Sequence, residues 1–86
     1  MRAVRCHDLS GPRGLRVDDI PAPEPAAGEI AIEVKAAGVN FPDVLITQGK
    51  YQFKPDPPFV PGGEVAGVVR AVGAGVTDLA VGDRVA

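Results

Sequence analysis

A proline-bounded loop that runs into a long apolar segment constrains this chain more than any other feature. Pro58 and Pro61 each fix φ and lack an N–H donor, so the sequence predicts that the loop between them stays outside any sheet. Gly62 and Gly63 follow, and they permit backbone conformations that a Cβ would forbid. A series of β-branched residues then predicts a long strand over residues 64–72.

A single acidic residue, Glu64, stands at the entrance to this strand. A carboxylate buried at that point needs a partner, because burying an unpaired charge is costly. Two interpretations therefore stay open: local backbone amides cap the Glu64 carboxylate, or the residue belongs to a functional site.

The abundance of turn residues favours one fold class. Eleven glycines and nine prolines in 86 residues argue for many turns and against a helical bundle. Apolar residues make up 45% of the chain and aromatic residues only 5%, so the core has to be built from aliphatic side chains. Regular alternation between the turns predicts a mainly β fold, as one small domain or a piece of a larger protein.

Charge and hydropathy argue against several classes of partner. The formal charge is −2 and the basic residues are spread out, so no cluster is present to bind a nucleic acid backbone. No apolar run approaches the ~18 residues of a membrane span, and residues 1–7 lack the apolar block of a secretion signal. A single cysteine cannot form an internal disulfide. We therefore expect a cytoplasmic protein.

Alternating segments predict the strands. Residues 1–7 and 15–20 alternate loosely on either side of a turn and predict a hairpin. Residues 21–25 form a proline-rich, extended connector. The clearest alternation covers residues 29–37 and predicts a strand with one apolar face, which only Ala31 interrupts.

The adjacent Cys6 and His7 resemble a metal-binding pair only at first sight. Neighbouring residues on a strand point to opposite faces, so these two side chains cannot converge on one ion. We expect a small buried thiol and a surface histidine instead.

A short helix is predicted between the third strand and the proline-bounded loop. Pro42 suits the first position of a helix, Asp43 favours its positive end, and Gly49 is placed to end it. Asn40 stands just before the helix, where it either ties down the turn or offers its amide to a ligand. Leu45 lies on the apolar side of the predicted helix.

Tyr51 and Phe53, two of the four aromatic residues of the chain, lie on the loop after the predicted helix. On a proline-stiffened loop they either line a pocket or cover the edge of the core, and the sequence leaves both possibilities open. Further along, residues 73–75 resemble the start of a dinucleotide-binding turn. The third glycine of that fingerprint is replaced by Asp78, so we reject it.

Taken together, these segments resemble the N-terminal, GroES-like domain of the medium-chain dehydrogenase/reductase superfamily. Within it they are most similar to the zinc-free NADPH:quinone oxidoreductases, the family that includes zeta-crystallin. The resemblance rests on the order and spacing of several short motifs: Gly38-Val39-Asn40-Phe41-Pro42-Asp43, Gly49-Lys50-Tyr51, the segment from Pro58 to Val69, Val72-Gly73, Gly75-Val76 and Gly82-Asp83-Arg84-Val85. It implies a distorted β-barrel with one short helix.

Two positions depart from the zinc-dependent relatives of this superfamily. Alcohol dehydrogenases carry a cysteine where this chain has Asn40 and a histidine where it has Gly63. Losing a thiolate and an imidazole removes two ligands of a catalytic zinc. Without that Lewis acid, the substrate has to be electron-poor by itself. The resemblance thus implies no zinc, NADPH as the cofactor, and quinones or conjugated enones as substrates.

The resemblance also implies roles for individual residues. Asn40 matches a family asparagine beside the cofactor in the cleft, so it is implied in catalysis and in cofactor binding. Tyr51 matches a tyrosine that lines the cleft, which implies a part in cofactor binding and in the substrate pocket. Leu45 stands where some relatives place a cleft tyrosine, implying a more apolar substrate pocket. Asp43 and Glu64 also match motif positions, and we assign both of them structural duties.

By the same resemblance, residues 1–86 are an incomplete GroES-like domain, the N-terminal part of an α/β two-domain oxidoreductase. The nucleotide-binding domain is absent from this chain, so we expect the chain alone to be inactive and the full-length enzyme to form a homodimer. Two alternatives stay open: an enoyl-thioester reductase of the same superfamily, and a non-catalytic GroES-like binding module.

Overall fold

The structure is a computed structural model that describes all 86 residues. Its elements are five strands, one α-helix and one 3-10 turn: β1 (Arg2–Cys6), the 3-10 turn (Pro12–Gly14), β2 (Leu15–Asp19), β3 (Ile30–Ala37), α1 (Phe41–Thr47), β4 (Val65–Val72) and β5 (Arg84–Val85). The strands form a two-stranded sheet, β1-β2, and a three-stranded sheet, β3-β4-β5. The predicted fold class, mainly β with one short helix, is confirmed, although neither sheet closes on itself.

The chain divides into two compact units, which are described separately. The first unit comprises Met1–Pro21 and Val39–Gly63, and the second comprises Ala22–Gly38 and Glu64–Ala86. The first unit contains the β1-β2 hairpin, α1 and the proline-bounded loop. The second unit contains the three-stranded sheet.

The predicted hairpin of the first unit is confirmed. Strands β1 and β2 pair antiparallel without a register shift, from Arg2 opposite Asp19 to Cys6 opposite Leu15. Cys6, at the end of β1, is completely buried, as predicted, and its Sγ donates a 3.0 Å hydrogen bond to the carbonyl of Asp8. The packing of the first unit therefore includes this small thiol.

The proline-bounded loop of the first unit differs from the sequence prediction. Phe59, which lies between Pro58 and Pro61, forms an antiparallel β-bridge with Cys6. The Cys6 N–H donates to the Phe59 carbonyl at 2.7 Å, and the Phe59 N–H donates to the Cys6 carbonyl at 3.2 Å. The prediction that this loop stays out of a sheet is wrong at this one residue, because the prolines block only their own N–H groups and leave Phe59 free to pair.

Helix α1 begins and ends where the sequence predicts. Asn40 is its N-cap with an extended backbone, and Pro42 lies in its first turn. Gly49 adopts φ of 69°, a left-handed conformation that favours glycine and ends the helix. The Thr47 carbonyl accepts a 3.0 Å hydrogen bond from the Gly11 N–H, which joins the end of α1 to the segment beside the 3-10 turn.

The three-stranded sheet of the second unit buries Ala31 and Val69. Two register shifts interrupt the β3-β4 pairing, between Ala31 and Ile32 and between Val34 and Ala36. Ala31, which interrupts the predicted apolar face, is buried, whereas Val34 on that face is 52% exposed. The single apolar face predicted for residues 29–37 is therefore only partly realised.

Glu64 is exposed in the structure, so the premise of a buried carboxylate that needs a partner is wrong. Its backbone carbonyl accepts a 3.1 Å hydrogen bond from the Gly38 N–H. The Glu64 side chain lies against Gly38, where an added Cβ would overlap the carboxylate. Glu64 thus covers a glycine at the end of β3 and remains in contact with water.

Candidate functional site

A groove of about 280 Å³ lies within the first unit. One wall comes from the first residues of α1 and the other from the loop that follows the helix. The lining residues are mostly proline, aromatic, aliphatic or glycine: Pro42, Asp43, Ile46, Tyr51, Phe53, Pro55, Phe59, Val60, Pro61, Gly62 and Gly63. The groove is therefore suited to a flat, apolar ligand.

The groove wall is formed locally by a stiff backbone. Pro55 and Pro61 restrict the loop, and the β-bridge to Cys6 fixes Phe59 between them. Gly62 adopts φ of 109°, which a residue with a Cβ rarely tolerates, and no atom lies within 4 Å of where its Cβ would be. The backbone of Gly62 thus forms an open edge of the groove.

Tyr51 and Phe53 both line the groove, so the structure favours the pocket interpretation of these aromatic residues. Tyr51 is half-buried, whereas Phe53 is 66% exposed. The phenol hydroxyl of Tyr51 is the only neutral polar side-chain group in the lining. With Phe59, which also lines the groove, a ligand there meets three ring surfaces and one hydroxyl.

Asn40 is exposed at the start of α1 and does not line the groove. Its backbone carbonyl accepts a 3.0 Å hydrogen bond from the Asp43 N–H. Its side chain faces the same N–H in a capping box with Asp43, without forming a regular hydrogen bond to it. The Asn40 carboxamide thus lies exposed at the start of α1.

Leu45 is half-buried and also lies outside the groove lining. Its neighbour Ile46 lines the groove instead. Of the three residues assigned to the site from the sequence, the structure places only Tyr51 in the groove. The predicted roles of Asn40 and Leu45 remain predictions.

Asp43 connects the groove with the start of the helix. Its carboxylate accepts a 2.8 Å hydrogen bond from the Asn40 backbone N–H, and the half-buried side chain contributes to the groove wall. It is the only charged residue in the lining. The sequence indicated Asp43 only as a helix-start residue, and its position at the groove was not foreseen. The signal that could have revealed it is a carboxylate one helical turn before the apolar Ile46.

A second polar cluster lies on the hairpin of the first unit. Asp18 Oδ2 accepts hydrogen bonds from Arg5 Nε at 2.8 Å and from His7 Nε2 at 2.5 Å. The Arg5 guanidinium, followed by His7, holds the pKa of Asp18 below its usual value. The sequence predicts a surface histidine, whereas His7 is half-buried and paired with Asp18.

The residues of the groove fit only part of the cofactor that the resemblance implies. The lining contains no Lys, Arg or His, so it suits a flat ring and not a phosphate group. The chain holds no group of three or more His, Cys, Asp and Glu side chains arranged to bind a metal. No helix is long and apolar enough to cross a membrane.

The fold matches that of a GroES-like domain. The family model for the alcohol dehydrogenase GroES-like domain matches residues 26–86. The chain therefore belongs to the alcohol dehydrogenase GroES-like domain family. The predicted GroES-like domain of the medium-chain dehydrogenase/reductase superfamily is thereby confirmed, and quinone oxidoreductases are among the relatives described below.

Two curated relatives illustrate the match. An alcohol dehydrogenase of Moraxella sp. (strain TAE123) is 40% identical over 85 residues, which are 99% of this chain and 25% of the relative. The quinone oxidoreductase of Rattus norvegicus is 41% identical over 86 residues, 99% of this chain and 26% of the relative.

Two solved structures share the fold. A probable oxidoreductase from Mycobacterium abscessus is 49% identical with a TM-score of 0.89, and the match covers 98% of this chain and 26% of that chain. The quinone oxidoreductase from Thermus thermophilus, also solved as its complex with NADPH, is 44% identical with a TM-score of 0.73. That match covers 83% of this chain and 23% of the other. This chain thus spans about a quarter of the length of the proteins it matches.

Proposed function

We propose that this chain is the N-terminal, substrate-side part of an NADPH:quinone oxidoreductase. The observation that carries the proposal is the groove, an apolar surface with the rings of Tyr51 and Phe59 in its walls. Such walls fit the flat, uncharged ring of a quinone by stacking and apolar burial. The quinone oxidoreductases among the relatives support the same substrate class.

The second part of the proposal is that the enzyme works without zinc. Asn40 and Gly63 stand where zinc-dependent relatives have ligands, and neither supplies a thiolate or an imidazole. With no Lewis acid to stabilise an oxyanion, the substrate has to accept electrons readily by itself. Quinones and conjugated enones meet that condition, whereas simple ketones do not.

The roles of the chain's own residues follow from their positions. NADPH, when bound, supplies the hydride. The Asn40 carboxamide, which lies exposed at the start of α1, offers a donor and an acceptor to the cofactor or to the substrate carbonyl. Tyr51 provides a ring surface and a hydroxyl in the groove, and the apolar wall excludes water from the substrate. For Leu45, a half-buried residue of α1 outside the groove lining, the proposed role is to keep the substrate pocket apolar.

The groove lacks the residues to hold the cofactor's phosphates. The groove has no cationic side chain, and Asp78 breaks the only glycine pattern that resembles a dinucleotide-binding turn. Hydride transfer needs donor and acceptor to be held a few ångström apart, in a geometry that a second domain completes. We therefore propose that residues 1–86 alone neither bind NADPH appreciably nor reduce quinones, and that the complete enzyme is a homodimer.

The test is an NADPH oxidation assay with a simple quinone, on the 86-residue chain and on a longer protein that contains it. We expect activity in the longer protein and none in the chain alone. Activity in the chain alone would refute the need for a second domain. An inactive longer protein would refute the quinone reductase assignment.

A 2-enoyl thioester serves as the competing substrate in the same assay. The strand-to-helix turn that carries Asn40 also suits an enoyl-thioester reductase of this superfamily. A longer protein that reduces the thioester at least ten times more efficiently than the quinone, judged by kcat/KM, would favour that alternative. A protein inactive with both substrates would favour a non-catalytic binding module.

A further inference from the structure

The groove carries one negative charge on a wall that is otherwise uncharged. Of its eleven lining residues, only Asp43 is ionisable to an anion near neutral pH, and none is a cation. The Asp43 side chain is half-buried, and its Oδ2 is held by the 2.8 Å hydrogen bond from the Asn40 backbone N–H. This hydrogen bond orients the carboxylate at the groove wall that also carries the aromatic rings.

Other charged residues of the same loop lie outside the groove lining. Lys50 and Lys54 flank the aromatic residues in the sequence, yet both are exposed and neither contributes to the wall. Asp56 is likewise exposed and outside the lining. Charges in water are screened, whereas a charge that borders an apolar groove acts on the ligand at short range.

We propose that Asp43 is a specificity-determining residue, which makes the groove select quinones without an anionic substituent. This inference rests on the proposed function and narrows its substrate class. Quinones with a neutral or cationic substituent are accepted, whereas those with a sulfonate, carboxylate or phosphate are disfavoured by the Asp43 carboxylate. The hydrogen bond to Asn40 keeps that charge at the helix start, next to the predicted reaction site.

The expected size of the effect follows from the Coulomb interaction. Two like charges about 6 Å apart in watery surroundings change an affinity about three- to tenfold, depending on how much water remains between them. An anionic ligand is thus expected to bind about three- to tenfold more weakly than its neutral counterpart. A cationic ligand is expected to bind more tightly than the neutral one, and added salt reduces both differences.

The test compares three anthraquinones that share one ring system and differ only in the group at position 2: a sulfonate, a hydroxymethyl and an aminomethyl group. Each is titrated into the 86-residue chain, and the NMR signals of the groove rings are followed. Tyr51 is the only tyrosine, so its ring signals are unambiguous reporters. We expect affinity to rise in the order sulfonate, hydroxymethyl, aminomethyl.

The Asp43→Asn variant removes the charge but keeps an oxygen that can accept the hydrogen bond from Asn40. We expect the three affinities to converge to within about twofold in this variant. Asp56→Asn is the matched control, because it removes a carboxylate from the same loop outside the lining. The control is expected to keep the wild-type order. Should Asp43→Asn fail to fold, the salt dependence of the wild-type affinities provides the second measurement.

Three results would overturn the inference: equal affinities in the wild-type chain, the same order in Asp43→Asn as in the wild type, or no shift of the groove signals with any probe. Failure of the proposed function is a separate result. The proposed function fails if the longer protein reduces no quinone. That result is possible even if the affinity of the chain alone for the three probes depends on their charge.

Discussion

The Nε2 atom of His7 lies 2.5 Å from Oδ2 of Asp18, across the β1-β2 hairpin. The same oxygen accepts the hydrogen bond from Arg5 Nε, so one carboxylate oxygen joins two basic side chains. All three side chains are partly buried, which shields this contact from water better than the exposed ion pair between Lys35 and Glu33. The two strands of the hairpin are thus joined by side-chain hydrogen bonds whose strength depends on the protonation of Asp18.

The contact of Asp18 with Arg5 and His7 predicts how the stability of the chain depends on pH. The pKa of Asp18 is lowered from its ordinary value of 3.8, first by Arg5 and then by His7. Because the folded pKa lies below the unfolded one, the contribution of Asp18 is complete above the unfolded pKa. It is lost as the pH falls through the folded pKa. Urea unfolding of Asp18→Asn should therefore show a deficit against wild type at pH 7 that shrinks below about pH 4.

Glu24→Gln is the control for this experiment, because Glu24 is exposed and lies outside the two strands of the hairpin. Its free energy of unfolding should follow the wild-type curve at every pH. A deficit of Asp18→Asn that persists unchanged at about pH 2 would contradict the prediction.

Gly67 in β4 is predicted to tolerate no side chain. A Cβ at this buried position would overlap the backbone carbonyl of Glu33 on the neighbouring strand. The backbone cannot move away without breaking the β3-β4 pairing, so Gly67→Ala should cost about 1–3 kcal/mol of unfolding free energy. Gly63→Ala is the matched control, because nothing lies within 4 Å of its Cβ. Equal stability of the two variants by urea unfolding would contradict the prediction.

We predict that Asn40→Ser lowers enzyme turnover and leaves the stability of the fold nearly unchanged. Serine remains a good N-cap, and the Asn40 side chain forms no regular capping hydrogen bond, so the change in stability should stay below about 1 kcal/mol. The carboxamide is lost, so quinone turnover of the longer protein should fall at least tenfold. Thermal unfolding and steady-state kinetics on the same preparation provide the measurement. Unchanged turnover would remove Asn40 from the proposed site.

We predict that the purified protein contains no stoichiometric zinc. Asn40 and Gly63 supply neither a thiolate nor an imidazole at the positions where relatives have ligands. Elemental analysis after extensive dialysis should find well below one zinc per chain. One zinc per chain that resists dialysis would overturn the zinc-free proposal.

Cys6 is predicted to react slowly with thiol reagents in the folded chain. Burial raises the pKa of its thiol, and none of its surface is accessible. A disulfide reagent should therefore modify the native chain far more slowly than the urea-unfolded chain, which serves as the control. Equal rates in the two states would show that the hairpin opens freely.

Much of the fold was predictable from local signals. Alternation and turn residues located the strands, and Asp43 with Gly49 delimited the helix. The pairing of Phe59 with Cys6 was not predictable, because it joins residues far apart in the sequence. The exposure of Glu64 depends on the packing of the chain around the end of β3, which no local pattern encodes.

The candidate site was predictable only in part, for a related reason. The aromatic residues on the loop indicated a possible pocket, and Tyr51 does line the groove. Which side of the short helix faces that loop depends on tertiary packing, so the sequence pointed to Leu45 while Ile46 contributes the wall. An acidic residue such as Asp43 is common at the start of a helix. The sequence therefore does not indicate that the same residue also lines the groove.

The β-bridge between Cys6 and Phe59 makes the groove and the hairpin thermodynamically linked. Phe59 belongs to the groove wall and is also hydrogen-bonded to the last residue of β1. A ligand that binds only the intact groove must therefore raise the free energy needed to detach β1 from the loop. Detachment of β1 must in turn weaken ligand binding by the same free energy. Amide exchange at Phe59 and Cys6 thus becomes a direct gauge of ligand occupancy, even for a ligand that touches neither amide.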